Sequence, residues 1–145
     1  MKPTLHVPFA ELVGIELLAC EAGHAELAVT LRDALCNSWS VAHGGVTMTL
    51  LDVAMAHAAR SPNQPGHETT GSVVTIEMKT SFMRPGVGRL IARARVLRRT
   101  ASMAFCEASV MDDTEQLVAH GTGTFKFIRA LGVGGRRIRR ENASD

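Results

Sequence analysis

Aromatic residues are scarce in this chain, which has no tyrosine, one tryptophan and five phenylalanines among 145 residues. Proteins that bind nucleic acid need a basic face and commonly stack bases on exposed aromatic rings. The net charge of +2 does not supply such a face, because four arginines lie in the last fourteen residues. Without that segment the sixteen basic and fourteen acidic residues fall to twelve of each. Nucleic acid is therefore not an expected partner.

Cysteines and long apolar runs are also few. The three cysteines, at positions 20, 36 and 106, are odd in number and form no CxxC pair, so neither a disulfide framework nor a zinc ribbon fits. This usage predicts a reducing, cytoplasmic location. The most apolar stretch, Val46 to Ala59, is shorter than the roughly 20 residues of a membrane span and carries Asp52 at its middle. The N-terminal residues do not resemble a signal peptide, so neither export nor a membrane partner is expected.

The first half of the chain predicts a short helix, a hairpin and a buried helix. Pro8 to Gly14 is typical of one helical turn stopped by glycine. Two alternating segments, Ile15 to Cys20 and His24 to Leu31, flank turn residues and predict a hairpin. From Gly44 to Arg60, the length and the alanine content predict a helix that is apolar nearly all round. Such a helix must be surrounded by protein.

The second half has an apolar period of two, which indicates strands. The segment Ser72 to Met83 predicts a half-buried strand with Val74, Ile76, Met78 and Phe82 on one face and Val73, Thr75, Glu77, Lys79 and Ser81 on the other. Further strands are expected around Leu90 to Val96, Ala104 to Val110 and Leu117 to Ile128. We interpret these four strands as a meander.

Together these elements predict an α+β fold in which a curved antiparallel sheet wraps around one long central helix. Residues 1–130 form a single domain in this interpretation. Residues 131–145, which include the RRIRR sequence at 136–140, are expected to be a disordered basic tail.

Asp52 breaks the apolar pattern of the predicted helix. Burying an unpaired carboxylate is costly, so this residue must be paired, hydrogen-bonded or kept for function. The alternative is that Asp52 lies on a solvated stripe of an ordinary amphipathic helix. Its neighbours at helical spacing, Gly45, Thr49 and Ala56, would make that stripe small and uncharged.

The entrance of the same helix carries the sequence Ala42-His43-Gly44-Gly45. Glycines let a ligand approach the backbone closely, and the first amides of a helix point outward with the positive end of its dipole behind them. This arrangement is suited to an oxyanion hole. Taken alone, a Gly-Gly helix start more often reflects simple loop geometry than catalysis.

A set of residues in this chain resembles the hotdog-fold acyl-CoA thioesterases of the phenylacetate-pathway (PaaI-like) type. In chain order these are Asn37, His43-Gly44-Gly45, Asp52, Thr75, Arg84-Pro85 and Gly121-Thr122-Gly123-Thr124-Phe125. The resemblance covers about Phe9 to Ile128. It implies a hotdog fold, hydrolysis of an acyl-CoA substrate, and no separate cofactor, since coenzyme A is part of the substrate. A departure is the longer loop from Ser61 to Gly71, which would alter the acyl pocket.

The resemblance also implies the site residues, which are Asn37, Gly44, Asp52 and Thr75, with His43 near the leaving sulfur. The Gly44 amide, helped by Asn37, would polarise the thioester carbonyl and stabilise the oxyanion. Asp52 would act as general base on a water held by Thr75, or attack directly and form an anhydride. His43, His57 and Asp52 do not make a metal-ligand set such as HExxH, so no metal is expected.

Helix geometry separately indicates a homodimer. Asp52 is seven residues past Gly45, which places it on nearly the same helix face but roughly 10 Å further along. One thioester does not easily touch both. Two antiparallel helices in a two-fold dimer would bring the entrance of one beside the middle of the other. The resembled family is described as dimeric, and we expect a dimer of dimers.

Basic residues should contact the phosphates of coenzyme A, because guanidinium forks match phosphate oxygens. The candidates are Arg98 and Arg99, at the expected turn between strands, and Arg84, although solvated strand ends often carry such residues.

The acyl pocket is expected to be apolar and rich in methionine, lined by Met48, Leu51, Met55, Leu35 and Trp39. Aryl-acetyl or medium-chain acyl groups would fit it. A hotdog-fold enoyl-CoA hydratase or dehydratase and a non-catalytic acyl-CoA-binding protein are the alternative functions.

Overall fold

The structure is a computed structural model that describes residues 5–61, 71–128, 131–133 and 136–138. It contains the helices α1 (Pro8–Val13) and α2 (Gly44–Arg60) and a 3₁₀ turn at Asp33–Leu35. Its strands are β1 (Glu16–Glu21), β2 (His24–Thr30), β3 (Ser72–Phe82), β4 (Arg89–Arg99), β5 (Met103–Met111), β6 (Leu117–Ile128), β7 (Leu131–Val133) and β8 (Arg136–Ile138). None of the helices in this described part is long and apolar enough to cross a membrane.

The predicted helices and the first hairpin are confirmed. Helix α1 begins at Pro8 and ends at Gly14, whose left-handed φ of 90° lets its amide bond back to the carbonyls of Ala10 and Glu11. Helix α2 has the bounds that the sequence predicts. The β1–β2 turn places Ala22 and Gly23 at φ angles of 50° and 77°, so it bends through the left-handed region.

The six-stranded sheet has the order β1-β2-β4-β5-β6-β3, and its neighbouring strands are antiparallel. The prediction of a four-strand meander is therefore wrong. Only β4, β5 and β6 follow one another, whereas β3 lies at the far edge beside β6 and β2 pairs directly with β4. Apolar alternation identifies the buried face of a strand but carries no information about which strand is its neighbour.

Helix α2 packs against one face of the sheet and supplies much of the core. Its residues Leu50, Leu51, Ala54, Met55 and Ala58 have no exposed surface. The facing strands contribute small residues, which let the helix come close to the sheet: Ala92, Ala94, Ala104, Ala108 and Ala119. Gly123 is part of this close approach, because a Cβ atom there would lie 2.8 Å from the Phe125 ring and 3.1 Å from the Met55 methyl group.

Strand β3 does not keep the strict alternation that the sequence predicts. Its pairing with β6 steps from Thr75↔Phe125 to Glu77↔Thr124, so Ile76 is an extra residue in a β-bulge. The bulge exchanges the two faces of the strand. Val73 before it and Met78 after it both pack against the core, although they were expected on opposite faces.

The C-terminal residues differ in part from the expected disordered tail. Strands β7 and β8 pair antiparallel, with Leu131 opposite Ile138 and Val133 opposite Arg136. Disorder is therefore the wrong prediction for these six residues. The rest of the segment 131–145 lies outside the described residues, as does most of the loop between Ser61 and Gly71.

Candidate active site

The carboxylate of Asp52 is hydrogen-bonded to strand β3. The Thr75 hydroxyl donates to Asp52 Oδ1 over 2.6 Å, which joins the middle of α2 to the residue just before the bulge. Asp52 is half-buried, whereas Thr75 is exposed. The carboxylate is therefore oriented by this hydroxyl donor, and because Asp52 is only half-buried, part of it stays open to a ligand or to water. The sequence left open whether Asp52 is paired, hydrogen-bonded, kept for function or simply solvated. The structure shows that it is hydrogen-bonded.

A cleft of about 350 Å³ opens beside this pair, between α2, the start of β3 and residues 6–8. Its apolar lining is Val7, Pro8, Val53, Ala56 and Val73. The buried imidazole of His57 borders it and donates from Nδ1 to the carbonyl of Val53 over 2.8 Å. His57 thus makes a local hydrogen bond within its own helix. The cleft offers an acyl group an apolar surface that begins at a carboxylate.

At the start of α2, His43 is the N-cap and satisfies most of the free amides. Its Nδ1 accepts from Gly45 N over 2.9 Å, and its carbonyl accepts from Val46 N and Thr47 N over 2.9 and 3.4 Å. A Cβ atom on Gly45 would lie 3.0 Å from that Nδ1, so glycine here lets the ring cap the helix. Within the described part of the chain, Gly44 N is the one amide of this first turn with no acceptor. It is a donor at the positive end of the helix dipole.

The cap also determines the tautomer of His43. Because Nδ1 accepts a hydrogen bond from a backbone amide, the neutral ring carries its proton on Nε2. His43 is an exposed residue, so its ring is accessible to a ligand. The ring is therefore arranged as a hydrogen-bond donor next to the Gly44 amide, which suits the stabilisation of a leaving thiolate.

Asn37 organises the loop that leads into α2. Its Oδ1 accepts from Trp39 N over 2.9 Å and from Val41 N over 3.4 Å, which identifies this atom as the oxygen and leaves the Nδ2 group as a donor. The two ends of the loop are joined by the hydrogen bond from His43 N to Leu35 O and by an isolated antiparallel β-bridge between Cys36 and Ala42. Asn37 is half-buried. It is thus a fixed side chain with its two N–H donors remaining.

A second cleft, of about 400 Å³, adjoins the helix entrance and is lined by residues that include Phe9, Leu35, Cys36, His43 and Val46. It shares no lining residue with the cleft beside Asp52. Along α2, Asp52 is eight residues past Gly44, a separation of about 12 Å. One chain therefore presents two separate half-sites, the pair Asp52–Thr75 and the helix entrance with His43 and Gly44.

The structure corrects the expected lining of the pocket. Leu51 and Met55 have no exposed surface and face the sheet, so they line neither cleft. Trp39 is 83% exposed, and Met48 is 38% exposed, without bordering either cleft. Of the residues expected in the lining, Leu35 does border the cleft at the helix entrance.

The three candidate arginines do not lie together. Arg98 and Arg99 lie near the C-terminal end of α2, whereas Arg84 lies towards its N-terminal end. Arg98 and Arg99 are the last residues of β4, paired with Phe105 and Ala104, and not in a turn as expected. The Nη2 group of Arg99 donates to the carbonyls of Ala59 and Ser61 over 2.7 and 2.8 Å, where it caps the C-terminal end of α2. Arg98 is exposed.

Arg84 follows β3 and lies towards the helix entrance, since the carbonyl of nearby Gly86 accepts from Ala42 N over 2.8 Å. Arg84 is exposed. Its positive charge interacts with the carboxylate of Asp112 in the β5–β6 turn. The pKa of Asp112 lies below its ordinary value because the Gln116 amide and the Thr114 hydroxyl donate to the carboxylate, and the charge of Arg84 adds to this effect.

Comparison with known proteins identifies the family. Residues 40–119 match the Thioesterase superfamily. The chain belongs to this superfamily. The matched residues include the helix entrance, Asp52, Thr75 and Arg84.

Individual relatives agree with the family match. The chain is 28% identical over 132 residues to the medium/long-chain acyl-CoA thioesterase YigI of Salmonella typhimurium, covering 83% of this chain and 85% of the relative. It is 27% identical over 112 residues to the acyl-coenzyme A thioesterase PaaI of Escherichia coli, covering 76% and 75%. The solved structure of the conserved protein PA5202 from Pseudomonas aeruginosa superposes with a TM-score of 0.78 at 32% identity, covering 85% and 95%.

The observed fold and the family together establish the coarse function. The curved antiparallel sheet around one main helix is the hotdog fold, as the sequence resemblance implied. The chain is a PaaI-like thioesterase, and its reaction class is thioester hydrolysis.

Proposed function

We propose that this protein hydrolyses acyl-CoA thioesters to the free acid and coenzyme A. The observation that carries the proposal is the pairing, on one helix, of an amide without an acceptor at Gly44 with an oriented carboxylate at Asp52. The first suits a carbonyl oxygen that becomes negative, and the second suits a water that must lose a proton. The names of YigI and PaaI, both acyl-CoA thioesterases, support coenzyme A as the carrier.

The reaction begins at the helix entrance. The Gly44 amide, assisted by the Nδ2 group of Asn37, donates to the thioester carbonyl oxygen and stabilises the negative charge of the tetrahedral intermediate. When the C–S bond breaks, the thiolate of coenzyme A leaves. The Nε2–H of His43 is suited to donate to this sulfur.

Asp52 activates the attacking group. As a general base it takes a proton from water while the water oxygen bonds to the carbonyl carbon, and the proton later goes to the leaving sulfur. As a nucleophile it would form an anhydride that water then hydrolyses. Thr75 donates its proton to Asp52, so its oxygen lone pairs are left to accept from that water. Thr75 therefore positions both the carboxylate and the water.

The two half-sites lead us to propose a composite site in a homodimer. A separation of about 12 Å along α2 is too long for one thioester carbon to contact Gly44 and Asp52 of the same chain. Antiparallel pairing of two α2 helices would place Asp52 of one protomer opposite Gly44 of the other. Strand β3 is an edge of the described sheet, and such edges are available for pairing. The dimer of dimers and the cytoplasmic location stay predictions.

For the phosphates of coenzyme A, we propose the exposed guanidinium groups of Arg84 and Arg98. Arg99 was a third candidate. Because its Nη2 group already donates to the end of α2, we expect this residue to act mainly on stability.

The acyl group is proposed to be aryl-acetyl or medium-chain. The apolar part of the lining beside Asp52 is made of small and β-branched side chains, which distinguish one acyl chain from another only weakly, and His6, Arg60 and Ser72 supply further polar groups at the same cleft. The name of YigI, a medium/long-chain thioesterase, is consistent with the aliphatic part of this range.

A thiol-release assay tests the proposal. We expect free coenzyme A from a panel of aryl, short-, medium- and long-chain acyl-CoAs, and little release by Asp52→Asn. Hydration of an enoyl-CoA without free thiol would establish the hydratase alternative. Binding of acyl-CoA without any turnover would establish a non-catalytic binding protein.

A further inference from the structure

The cleft beside Asp52 runs along two turns of α2. The helix residues that line it recur at the spacing of one helix face: Asp52, Val53, Ala56, His57 and Arg60. Two hydrogen bonds to the chain at β3 mark its ends. Thr75 donates to Asp52 at one end, and Arg60 Nε donates to the carbonyl of Gly71 over 3.0 Å at the other. Asp52 and Arg60 are eight residues apart, so these ends lie about 12 Å apart along the helix axis.

The cleft carries opposite charges at its two ends and apolar side chains between them. Ala56 and Val73, which lie between the two ends, supply no hydrogen-bond partner from their side chains. The arm of coenzyme A contains amide groups, which would lose their hydration against such walls, whereas an acyl chain would not. At about 1.25 Å of extended length per carbon, which follows from C–C bonds of about 1.5 Å, a chain of about six to ten carbons spans the cleft once the contacts at both ends are allowed for.

Arg60 is not needed to cap its own helix. A basic residue in the last turn of a helix commonly donates to the free carbonyls there. In α2, the carbonyls of Ala59 and Ser61 accept from Arg99 over 2.7 and 2.8 Å. Arg60 is half-buried, and the bond from its Nε to Gly71 O holds the guanidinium at the border of the cleft. An anionic group on a ligand in the cleft would explain an arginine at this end.

We propose that this cleft selects acyl groups that end in a second carboxylate, and that Arg60 is the specificity-determining residue that binds it. The proposal rests on the proposed thioesterase function and names its substrate class, which is the monothioesters of medium-chain dicarboxylic acids. A planar guanidinium matches the geometry of a carboxylate. Because Coulomb energy falls with the inverse of distance, Arg60 at about 4 Å attracts this carboxylate about three times as strongly as Asp52 at about 12 Å repels it.

The first test compares kcat/KM for two acyl-CoAs of eight carbons, one with a terminal carboxylate and one with a terminal methyl group. We expect wild type to prefer the carboxylate about tenfold or more, as a hydrogen bond between two charged groups provides. Arg60→Gln should lose this preference, and Arg60→Lys, which keeps the charge, should retain part of it. A four-carbon acyl-CoA with a terminal carboxylate is too short to reach Arg60, so Arg60→Gln should not alter its turnover. A wild-type protein without the preference at eight carbons would overturn the proposal.

Arg93→Gln is the control for net charge. Arg93 lies on the outer face of the sheet, between the buried Ala92 and Ala94 in sequence, and pairs with Glu26 over 3.6 Å. Its substitution removes the same charge without touching the cleft, so the preference for the carboxylate should stay as in wild type. Equal losses in Arg93→Gln and Arg60→Gln would contradict a local contact at Arg60.

Acyl-pantetheines separate the acyl carboxylate from the phosphates of coenzyme A as the anion that Arg60 binds. We expect Arg60→Gln to impair turnover of the substrate with the terminal carboxylate on both carriers, and to spare the substrate with the terminal methyl group on both. If Arg60 instead bound a phosphate, its substitution would raise KM for both acyl-CoAs alike and for neither acyl-pantetheine. That pattern would overturn the proposal.

The last test does not depend on turnover. The probes are thioethers of coenzyme A in which a methylene group replaces the carbonyl, with and without a terminal carboxylate, and the readout is Kd by calorimetry. Wild type should bind the carboxylate probe about tenfold or more tightly than its partner, and Arg60→Gln should bind both alike. Discrimination by a wild-type protein that releases no thiol would contradict the proposed thioesterase function and support the role of Arg60. Thiol release together with equal binding of the two probes would overturn the role of Arg60 alone.

Discussion

Thr75 on β3 donates a hydrogen bond of 2.6 Å to Asp52 in the middle of α2. Strand and helix are joined at this point by a bond between a residue with an exposed hydroxyl and a half-buried carboxylate. The bond constrains the carboxylate without neutralising it, since a neutral hydroxyl brings no charge. The two residues are therefore suited to different roles. Asp52 can take a proton, and Thr75 orients the Asp52 carboxylate.

We predict that Asp52→Asn folds normally and loses about 10² to 10⁴ in kcat, because the amide keeps the shape of the side chain but does not accept the proton. Activity on the best acyl-CoA and the thermal unfolding midpoint should be measured together. An Asp52→Asn variant with near wild-type turnover would show that this carboxylate is structural.

Thr75 provides the matched comparison. Thr75→Ser keeps the hydroxyl and should retain most activity, whereas Thr75→Val keeps the shape, loses the bond to Asp52 and should lower kcat more than it changes KM. If Ser and Val were equivalent at this position, the hydroxyl would have no role in the reaction.

The composite site predicts complementation between inactive chains. In a heterodimer of Asp52→Asn with Asn37→Ala, one of the two sites receives only intact residues. Purified heterodimers should recover about half of the wild-type activity, and an equimolar mixture after subunit exchange about a quarter. Each parent protein alone serves as the control. Verified heterodimers that stay inactive would place both groups in the site of one chain.

Much of the local structure could be predicted from the sequence, because local rules determine it. Helix α2 has the expected bounds, since an N-cap residue followed by two glycines marks its start and a polar, proline-containing loop follows Arg60. The strand order could not be predicted, because it depends on which edge the chain reaches after α2. The β7–β8 pair did have a sequence signal, since a Gly-Gly dipeptide such as Gly134-Gly135 is typical of tight hairpin turns.

The site could be predicted only in part, for two physical reasons. A helix that is apolar nearly all round does not reveal which side faces the sheet, so Leu51 and Met55 were wrongly expected in the pocket. The bulge at Ile76 has no clear sequence signal, yet it turns Val73 and Thr75 to the face that Met78 occupies after it. Thr75 was therefore expected on the face opposite Met78, whereas it lies on the face that carries its bond to Asp52.

The two neighbouring arginines at the end of β4 should have separable effects. Arg99→Ala should lower the thermal midpoint, because it removes donors from the carbonyls of Ala59 and Ser61, with little change in KM for the acyl-CoA at a temperature where it stays folded. Arg98→Ala should leave stability unchanged and raise KM for acyl-CoA, but not for the corresponding acyl-pantetheine, which lacks the nucleotide phosphates. The reverse assignment of stability and KM would contradict this division of roles.

The apolar part of the cleft beside Asp52, formed by Val7, Pro8, Val53, Ala56 and Val73, predicts broad acyl tolerance. An apolar pocket discriminates one methylene group by only about 1 to 3 kcal/mol, so several aryl-acetyl and medium-chain acyl-CoAs should have kcat/KM values within about two orders of magnitude. A preference of 10⁴ or more for a hydroxylated aromatic acyl group would contradict this expectation. It would require a dedicated hydrogen-bonding partner for that hydroxyl.

Glu107 on the outer face of the sheet should contribute a pH-dependent part of the stability. Arg95 donates to its Oε1 over 2.7 Å, and this bond lowers the pKa of Glu107 from its usual value of 4.5. A carboxyl group whose pKa is lower in the folded state stabilises the protein above its unfolded pKa, and this stabilisation is lost as the pH falls through the folded value. The pair is partly exposed, so about 1 kcal/mol or less is expected near pH 7.

Thermal unfolding between pH 7 and pH 3 tests this contribution. Glu107→Gln should be less stable than wild type at pH 7, and the two curves should converge at the acid end. Glu115→Gln is the control, because its carboxylate is more exposed and lies 3.5 Å from Arg93. It should follow wild type across the range. A gap between Glu107→Gln and wild type that stays constant down to pH 3 would show that packing of the side chain, and not its charge, stabilises this face of the sheet.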